Sequence, residues 1–279
     1  MIVDAHFHCW QLARRDYGWL TPEFAPIYRD VHVEDWHEQA APRGVAGGVL
    51  VQAAPTQAET EFLLLQARAH PAVLGVVGWV DLLAPDAAHR VRQLARDPLL
   101  KGLRPMLQDI PDRRWILQPK LAPALEAMAE CGLVLDALVK AEHLPNILEL
   151  TRRHPALRIV IDHAAKPAIA HGQWQPWADD MARIAAETPA MCKLSGLFTE
   201  AERPLREGAV RRWSAHVLAT FGPERVIWGS DWPVLELAAS YGTWWDETQL
   251  LLTDLAVPRR AAVLGGNAMS FYNCLARHP

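Results

Sequence analysis

Two histidines close to the amino terminus are the residues best suited to chemistry in this sequence. His6 and His8 follow Asp4 in a short stretch that is rich in β-forming residues. Because alternate side chains of a strand point to the same face, this spacing predicts that both imidazoles project together, with Asp4 one pleat below them. Two imidazoles at a strand end form half of a metal site or half of an acid–base site; the alternative is a pair of hydrogen-bonded polar side chains.

Three further candidates lie where later apolar runs end. His163 and Asp231 each close such a run, and Arg104 lies near the end of another. A carboxylate beside several imidazoles is a reasonable general base, while a guanidinium polarises a carbonyl oxygen or pairs with a neighbouring carboxylate. We therefore predict that Asp231, His163 and Arg104 are catalytic, with Arg104 also contacting substrate. Other candidate substrate contacts, for which solvation or packing is the alternative, are Gln108, Lys140, Lys166, Trp10 and Trp232.

A lysine in the middle of an apolar run is costly to bury without a partner. Lys193 is such a residue, and Asp136 and Asp231 are the candidate carboxylates for it. Its role is then either a structural salt bridge or catalysis. Asp162 precedes His163, and strand alternation turns it away from that histidine, which is typical of a supporting residue or a helix cap.

The elements that must position these side chains form a regular series. Apolar runs predict strands at residues 3–8, 45–52, 73–81, 100–107, 133–139, 158–163, 191–197 and 225–231, and amphipathic stretches predict helices at 33–41, 56–70, 85–96, 120–131, 144–154, 174–188, 208–221, 242–255 and 258–272. Continuous apolar strands are buried on both faces, so the pattern predicts an α/β fold, a single-domain (β/α)₈ TIM barrel over residues 1–279. A doubly wound open sheet is the alternative, but no Gly-x-Gly-x-x-Gly sequence follows a strand. In a barrel, active sites lie at the carboxyl ends of the strands, where these candidates stand.

Composition narrows the class of partner. The chain has 279 residues, a net charge of −4 and no long basic tract, which argues against nucleic-acid binding. No apolar run reaches the roughly 18 residues that a membrane helix needs. Four scattered cysteines without a Cys-x-x-Cys pair, and no recognisable secretory signal, predict a reduced, cytoplasmic protein. A small molecule is the expected partner, and the oligomeric state stays open.

Several stretches resemble the lactonase group of the amidohydrolase superfamily. They are residues 4–10 (DAHFHCW), 101–104 (KGLR), 161–167 (IDHAAKP), 192–197 (CKLSGL), 229–233 (GSDWP) and 266–268 (GNA), which span the whole chain. The resemblance implies a (β/α)₈ barrel that hydrolyses a cyclic ester, with Asp231 activating the attacking water. It also places a metal at the residues that supply three nitrogens and one oxygen, which are His6, His8, His163 and Asp231.

Two departures from the superfamily pattern concern the metal. Members with two metal ions place a lysine or glutamate at the end of strand 4 and a histidine at the end of strand 5, whereas this chain has Arg104, Pro105 and Asp136. We therefore expect at most one divalent ion, Zn²⁺ or Mn²⁺. We also expect that this ion is dispensable for catalysis, because Arg104 offers a metal-free way to polarise a carbonyl.

Three hypotheses about function follow. The first is a lactonase that acts on a sugar-acid or carboxylated lactone. The second is a metal-dependent decarboxylase of an unsaturated acid on the same barrel, against which the missing strand-5 histidine weighs. The third is a binding barrel without activity, against which the cost of an unused buried polar cluster argues.

Overall fold

Eight parallel strands form one sheet in the computed structural model, which describes residues 1–274. The strands are β1 (Ile2–Phe7), β2 (Val45–Val51), β3 (Val73–Gly78), β4 (Leu100–Leu103), β5 (Val134–Ala137), β6 (Arg158–Ile161), β7 (Met191–Leu194) and β8 (Val226–Trp228). They pair in chain order from β1 to β8. The chain after β8 then meets β1, where the His8 amide donates to the Trp232 carbonyl and the Asp231 amide to the His6 carbonyl, both at 2.8 Å. The predicted (β/α)₈ barrel is confirmed.

Helices surround the sheet. They are α1 (Val33–Ala40), α2 (Gln57–Ala69), α3 (Ala87–Leu94), α4 (Ala122–Glu130), α5 (Leu144–Arg153), α6 (Trp177–Glu187), α7 (Arg211–Phe221), α8 (Tyr241–Leu251), α9 (Val257–Ala261) and α10 (Asn267–Phe271). The single helix predicted at 258–272 is wrong, because a π-helical segment, Ala262–Gly266, separates α9 from α10. Gly265 there packs so closely on the start of β1 that a Cβ atom would come within 2.4 Å of the Met1 carbonyl oxygen. Within the described residues, every helix is too short or too polar to cross a membrane.

The strands end earlier than predicted, and this matters for the site. Each predicted strand runs past the observed carboxyl end, because the polar residues there belong to loops that leave the sheet. Inside the barrel, apolar side chains from the strands form a packed core, which residues of α10 and of the chain directly after it extend at the amino-terminal end. Its members are Val3, Ala5, Val49, Val51, Leu74, Val77, Val134, Val160, Met191, Ile227, Ala268, Tyr272 and Cys274.

The long loop between β1 and α1 is fixed to the start of α2. Thr56 caps α2, with its Oγ1 accepting from the Glu59 amide at 3.1 Å. The Glu59 carboxylate accepts from the Tyr17 hydroxyl at 2.7 Å. Trp19 Nε1 donates to the Ala53 carbonyl at 2.7 Å. These bonds hold the loop beside the carboxyl ends of the strands.

Candidate active site

Strand β1 sends its two histidines and Asp4 to different surroundings. The pairing of β1 with β2 shifts register after Asp4, which breaks the strict alternation of side chains. Asp4 faces the helices, where it accepts from Trp36 Nε1 at 2.9 Å and from the Tyr241 hydroxyl at 3.0 Å. His6 and His8 project towards the barrel interior and its rim. The prediction that Asp4 shares their face is wrong, because a bulge was not visible in the residue pattern.

One oxygen of Asp231 is the centre of the cluster. Its Oδ1 lies 3.3 Å from His8 Nε2, 3.6 Å from His6 Nε2 and 3.8 Å from His163 Nε2. All four side chains are buried. The structure therefore brings together the four residues predicted as metal ligands. His6 and His8 belong to the first strand and the loop after it, whereas Asp231 follows the last strand, so they meet only because the sheet closes.

Backbone geometry aims His163 and Asp231. Residues 163–166 have φ values of 52°, 49°, 60° and 46°, and Asp231 has 60°, which are left-handed conformations that residues other than glycine rarely adopt. His163 Nδ1 lies 2.9 Å from Ser195 Oγ. Gly196 makes room for the ring, since a Cβ atom there would come within 2.5 Å of His163 Nδ1. The strained segment thus sets the imidazole by contacts on both sides.

Arg104 stands immediately after β4 and is held from several sides. Its Nη1 lies 3.3 Å from His6 Nε2 and 3.6 Å from Asp162 Oδ2, and its Nη2 donates to the Gln52 carbonyl. Its Nε is buried and has no hydrogen-bond partner among residues 1–274. Gln52 in turn donates from Nε2 to the Arg104 carbonyl at 2.7 Å. The guanidinium is thus preorganised, and sequence reasoning missed Gln52 because an uncharged residue at a strand end carries no chemical signal.

Beneath the cluster lies a second, fully buried group of charges. Lys193 Nζ lies 2.5 Å from Asp136 Oδ2 and 3.1 Å from Asp162 Oδ1. The Tyr272 hydroxyl donates to the same Asp136 oxygen at 2.8 Å. Asp136 is therefore the carboxylate partner of Lys193, as one of the two predicted candidates, and Asp231 is not. Asp162 contacts Lys193 and lies 3.6 Å from Arg104 Nη1, so it supports these two cations.

The electrostatic environment fixes the charge states of the cluster. Burial opposes the charge on Asp231, but the neighbouring imidazoles and the hydrogen bond from His8 outweigh it and lower the pKa of Asp231 below its ordinary value. Burial lowers the pKa of His163 to about 4. Burial and then the charge of Lys193 lower the pKa of His6 well below its ordinary value. At neutral pH, Asp231 is a carboxylate, and both His6 and His163 are neutral.

The donor set fits a divalent cation. One nitrogen each of His6 and His163 and one oxygen of Asp231 lie within 4.8 Å of one another. His8 Nδ1 lies 2.8 Å from the Val51 carbonyl, which only accepts, so a neutral His8 ring carries its hydrogen at Nδ1 and turns its lone pair at Nε2 towards Asp231 Oδ1. Two acceptors that face each other call for a proton or a cation between them. Imidazole nitrogens and a carboxylate are ligands that Zn²⁺ and Mn²⁺ take.

A cavity of about 380 Å³ opens directly above the cluster. Its lining combines polar and apolar side chains. The polar residues are His8, Arg104, Gln108, Asp109, His163, Lys166, Thr199, Glu200, Arg203 and Asp231; the apolar residues are Trp19, Phe24, Ala53, Met106, Leu138, Val234 and Leu237. A lining of this kind, which includes the candidate base, suits a small hydroxylated molecule with one apolar group.

The predicted substrate contacts divide into two groups. Gln108 and Lys166 line the cavity. Lys140 instead lines a neighbouring cavity of about 660 Å³, which shares Gln108 and Lys166 with the first one but holds none of the histidines of the cluster. Trp10 and Trp232 are almost fully buried and are not among the described residues that line the cavity; Trp10 Nε1 donates to the Arg29 carbonyl and Trp232 Nε1 to Glu236. Both tryptophans therefore pack behind the site, which was the alternative reading of each.

Several lining residues were not predicted individually. Trp19 and Phe24 come from the long loop between β1 and α1. Thr199 and Glu200 follow β7 in a short 3₁₀ turn (Phe198–Glu200), and Glu200 lies 3.8 Å from Lys166. No sequence pattern distinguishes them from ordinary loop residues.

Comparisons with known proteins agree with this geometry. The family model described as amidohydrolase matches residues 3–274. The chain belongs to the amidohydrolase family. It is 47% identical over 275 residues, 97% of this chain and 94% of the other, to an L-fucono-1,5-lactonase from Burkholderia ambifaria.

Two solved structures also resemble this amidohydrolase in fold. An amidohydrolase from Burkholderia multivorans, crystallised with bound zinc, superimposes with a TM-score of 0.93 at 34% identity and covers 99% of this chain and 100% of its own. The 5-carboxyvanillate decarboxylase of Sphingomonas paucimobilis matches with a TM-score of 0.68 at 17% identity, over 98% of this chain and 99% of its own. The second likeness shows a shared fold alone.

Proposed function

We propose that this amidohydrolase opens the cyclic ester of a sugar-acid lactone. The observation that carries the proposal is the cluster of Asp231, His6, His8 and His163 at the floor of a cavity, with Arg104 beside it. Lactonase is also the name of the relative that is 47% identical. The lactonase hypothesis drawn from the sequence agrees with that name.

The reaction needs a base, an oxyanion partner and a proton for the leaving oxygen. Asp231 takes a proton from water, whose oxygen attacks the lactone carbonyl carbon. Arg104 lines the same cavity, and its guanidinium stabilises the negative oxygen that forms. The ring C–O bond then breaks, and the proton held by Asp231 passes to the ring oxygen. The product is a hydroxy acid, which ionises to the carboxylate.

One divalent ion fits the cluster, with His6, His8, His163 and Asp231 as its ligands. When bound, it supplies a Lewis acid that polarises the carbonyl or water. We propose that the site holds at most one ion. The position that a strand-5 ligand would occupy is taken by Asp136, whose carboxylate is paired with Lys193 at 2.5 Å. The same feature disfavours the decarboxylase alternative.

The mixed lining of the cavity suggests the class of sugar. A 6-deoxyhexonolactone such as L-fucono-1,5-lactone offers hydroxyl groups to the polar lining residues and a methyl group to apolar ones such as Trp19, Phe24 and Leu237. L-galactono-1,5-lactone differs from it by one hydroxyl group in place of a methyl hydrogen. An apolar pocket rejects such an added hydroxyl only moderately, so we expect a preference of up to about 10²-fold for the deoxy sugar.

The test is a set of lactones assayed by acid release with a pH indicator, beside unsaturated acids assayed by CO₂ release. We expect acid release from the sugar lactones and none of the CO₂. Release of CO₂ without lactone hydrolysis would establish the decarboxylase instead. Tight ligand binding without turnover in either assay would establish a binding protein.

A further inference from the structure

Lys193 occupies an unusual position for a charged residue. It lies in the middle of β7, is fully buried, and sits under the ligand cluster rather than in the cavity. Its ammonium group contacts three acceptors, which are Asp136 at 2.5 Å, Asp162 at 3.1 Å and Nδ1 of His6 at 3.1 Å. The proposed reaction uses none of these contacts directly. The contact with His6 is the informative one.

His6 is placed between two cations. Lys193 faces its Nδ1 at 3.1 Å, and Arg104 Nη1 faces its Nε2 at 3.3 Å. Lysine and arginine side chains only donate hydrogen bonds, whereas a neutral imidazole has one acceptor nitrogen and one N–H. Both cations therefore cannot be satisfied by the same tautomer. The tautomer of His6 therefore depends on whether Lys193 or Arg104 donates to the acceptor nitrogen of the ring.

In the first tautomer, Nδ1 accepts from Lys193 and Nε2 carries the hydrogen. That hydrogen points to Asp231 Oδ1, which lies 3.6 Å away. Nε2 then has no lone pair, so His6 cannot ligate a cation through the nitrogen that faces the cluster. This tautomer belongs to a metal-free site.

In the second tautomer, Nδ1 carries the hydrogen and needs an acceptor. Asp162 Oδ1 lies 3.7 Å from Nδ1; it is fully buried and forms an ion pair with Lys193 Nζ at 3.1 Å, but it accepts no hydrogen bond within residues 1–274. A small rotation of the ring would make this bond. Nε2 is then free for a cation or for the N–H of Arg104, which is the carboxylate–histidine–metal arrangement found at many metal sites.

We propose that Lys193 and Asp162 select the tautomer of His6 and thereby set the metal affinity of the site. Lys193 holds His6 in the metal-free form, and Asp162 supports the form that binds a cation. Both are positioning residues that act through His6. The inference rests on the proposed role of His6 as a ligand, but not on the identity of the substrate. It predicts that the ligand set binds a metal ion more weakly than it would without Lys193.

The first measurement is the Zn²⁺ dissociation constant, by competition with a chromophoric chelator. Lys193→Met combined with Asp136→Asn removes the lysine and one of its two carboxylate partners together, and the other partner, Asp162, keeps Arg104 Nη1 as a charged neighbour at 3.6 Å. We expect this double variant to bind Zn²⁺ at least about 10-fold more tightly, and Asp162→Asn to bind it about 10- to 100-fold more weakly. Asp136→Asn alone should not tighten binding, because it keeps Lys193. An unchanged affinity in the double variant would overturn the proposal.

The second measurement separates tautomer selection from a simple charge effect. Nitrogen-15 spectra of histidine-labelled protein report which ring nitrogen carries hydrogen, and His6→Asn identifies the signals of His6. After exhaustive chelation, we expect hydrogen on Nε2 in the wild type and on Nδ1 in the double variant. Hydrogen on Nδ1 in the metal-free wild type, or the same tautomer in both proteins, would refute the proposal even if the Zn²⁺ affinity changed. The wild-type spectrum alone decides if the double variant does not fold, and neither measurement depends on lactonase activity.

Discussion

Replacing Asp231 with asparagine is the most direct perturbation of the proposed chemistry. The amide has nearly the same shape, so it keeps the side chain between the three imidazoles while it removes the negative charge and the ability to accept a proton from water. Asp231 approaches all three Nε2 atoms within 3.8 Å, and no second carboxylate lies at this position in the described cavity wall. No neighbour is therefore placed to take over its role.

The expected loss can be estimated from the role assigned to the carboxylate. General base catalysis contributes about 10²- to 10⁴-fold to a rate. At 1.36 kcal/mol for each factor of ten, this corresponds to about 3–5.5 kcal/mol of transition-state stabilisation. Because Asp231 acts on water rather than on the sugar, the loss should fall on kcat and leave KM nearly unchanged.

The assay measures initial rates of acid release from the best lactone over a range of concentrations. A thermal unfolding curve first shows whether the variant is folded. Asp246→Asn makes the same chemical change at an exposed position on α8 and serves as the control that should keep wild-type kinetics. A folded Asp231→Asn enzyme that keeps more than about a tenth of wild-type kcat would show that Asp231 is not the base.

Three further predictions concern neighbouring parts of the structure. Arg104→Met should lower kcat/KM at least about 10²-fold, since the oxyanion loses a charged donor, and unchanged kinetics in a folded variant would make Arg104 structural. Elemental analysis should find at most one divalent ion per chain, whereas two tightly bound equivalents would contradict the single cluster; activity after exhaustive chelation then shows whether that ion is needed. Burial raises the pKa of Glu59 from 4.5 to about 7, so the folded protein holds a proton that the unfolded chain releases, and stability falls as pH rises through this interval. Relative to Glu59→Gln, the wild type should lose up to about 3 kcal/mol of unfolding free energy between about pH 4.5 and pH 8, and a constant difference measured by denaturant titration would contradict this.

The sequence by itself determined the barrel and the rim of the site. Eight apolar runs alternate with amphipathic stretches, and parallel strands that are buried on both faces leave few other folds. Once the strands are parallel, their carboxyl ends share one edge, so His6, His163 and Asp231 had to converge there whatever their distance in the chain. The resemblance to the amidohydrolases, carried by short motifs at those same ends, is confirmed by the family model.

Tertiary structure alone decided how these residues are arranged. The shift of register in β1 turns Asp4 towards the helices, and the left-handed segment from His163 to Lys166 sets the imidazole. Both depend on contacts with other strands that local pattern does not encode. The choice of Asp136 rather than Asp231 as the partner of Lys193 likewise follows from which interior positions face each other across the barrel.

The walls of the cavity show the same division. Lys140 and Lys166 are equivalent in sequence, as loop lysines after neighbouring strands, yet only Lys166 reaches the cavity above the cluster. Trp10 follows His8 and Trp232 follows Asp231, yet both are packed away from it. Where a strand is regular, periodicity fixes which face a residue occupies, because that depends on the backbone of a few residues. The direction of a loop side chain depends on long-range packing, and only the folded chain determines it.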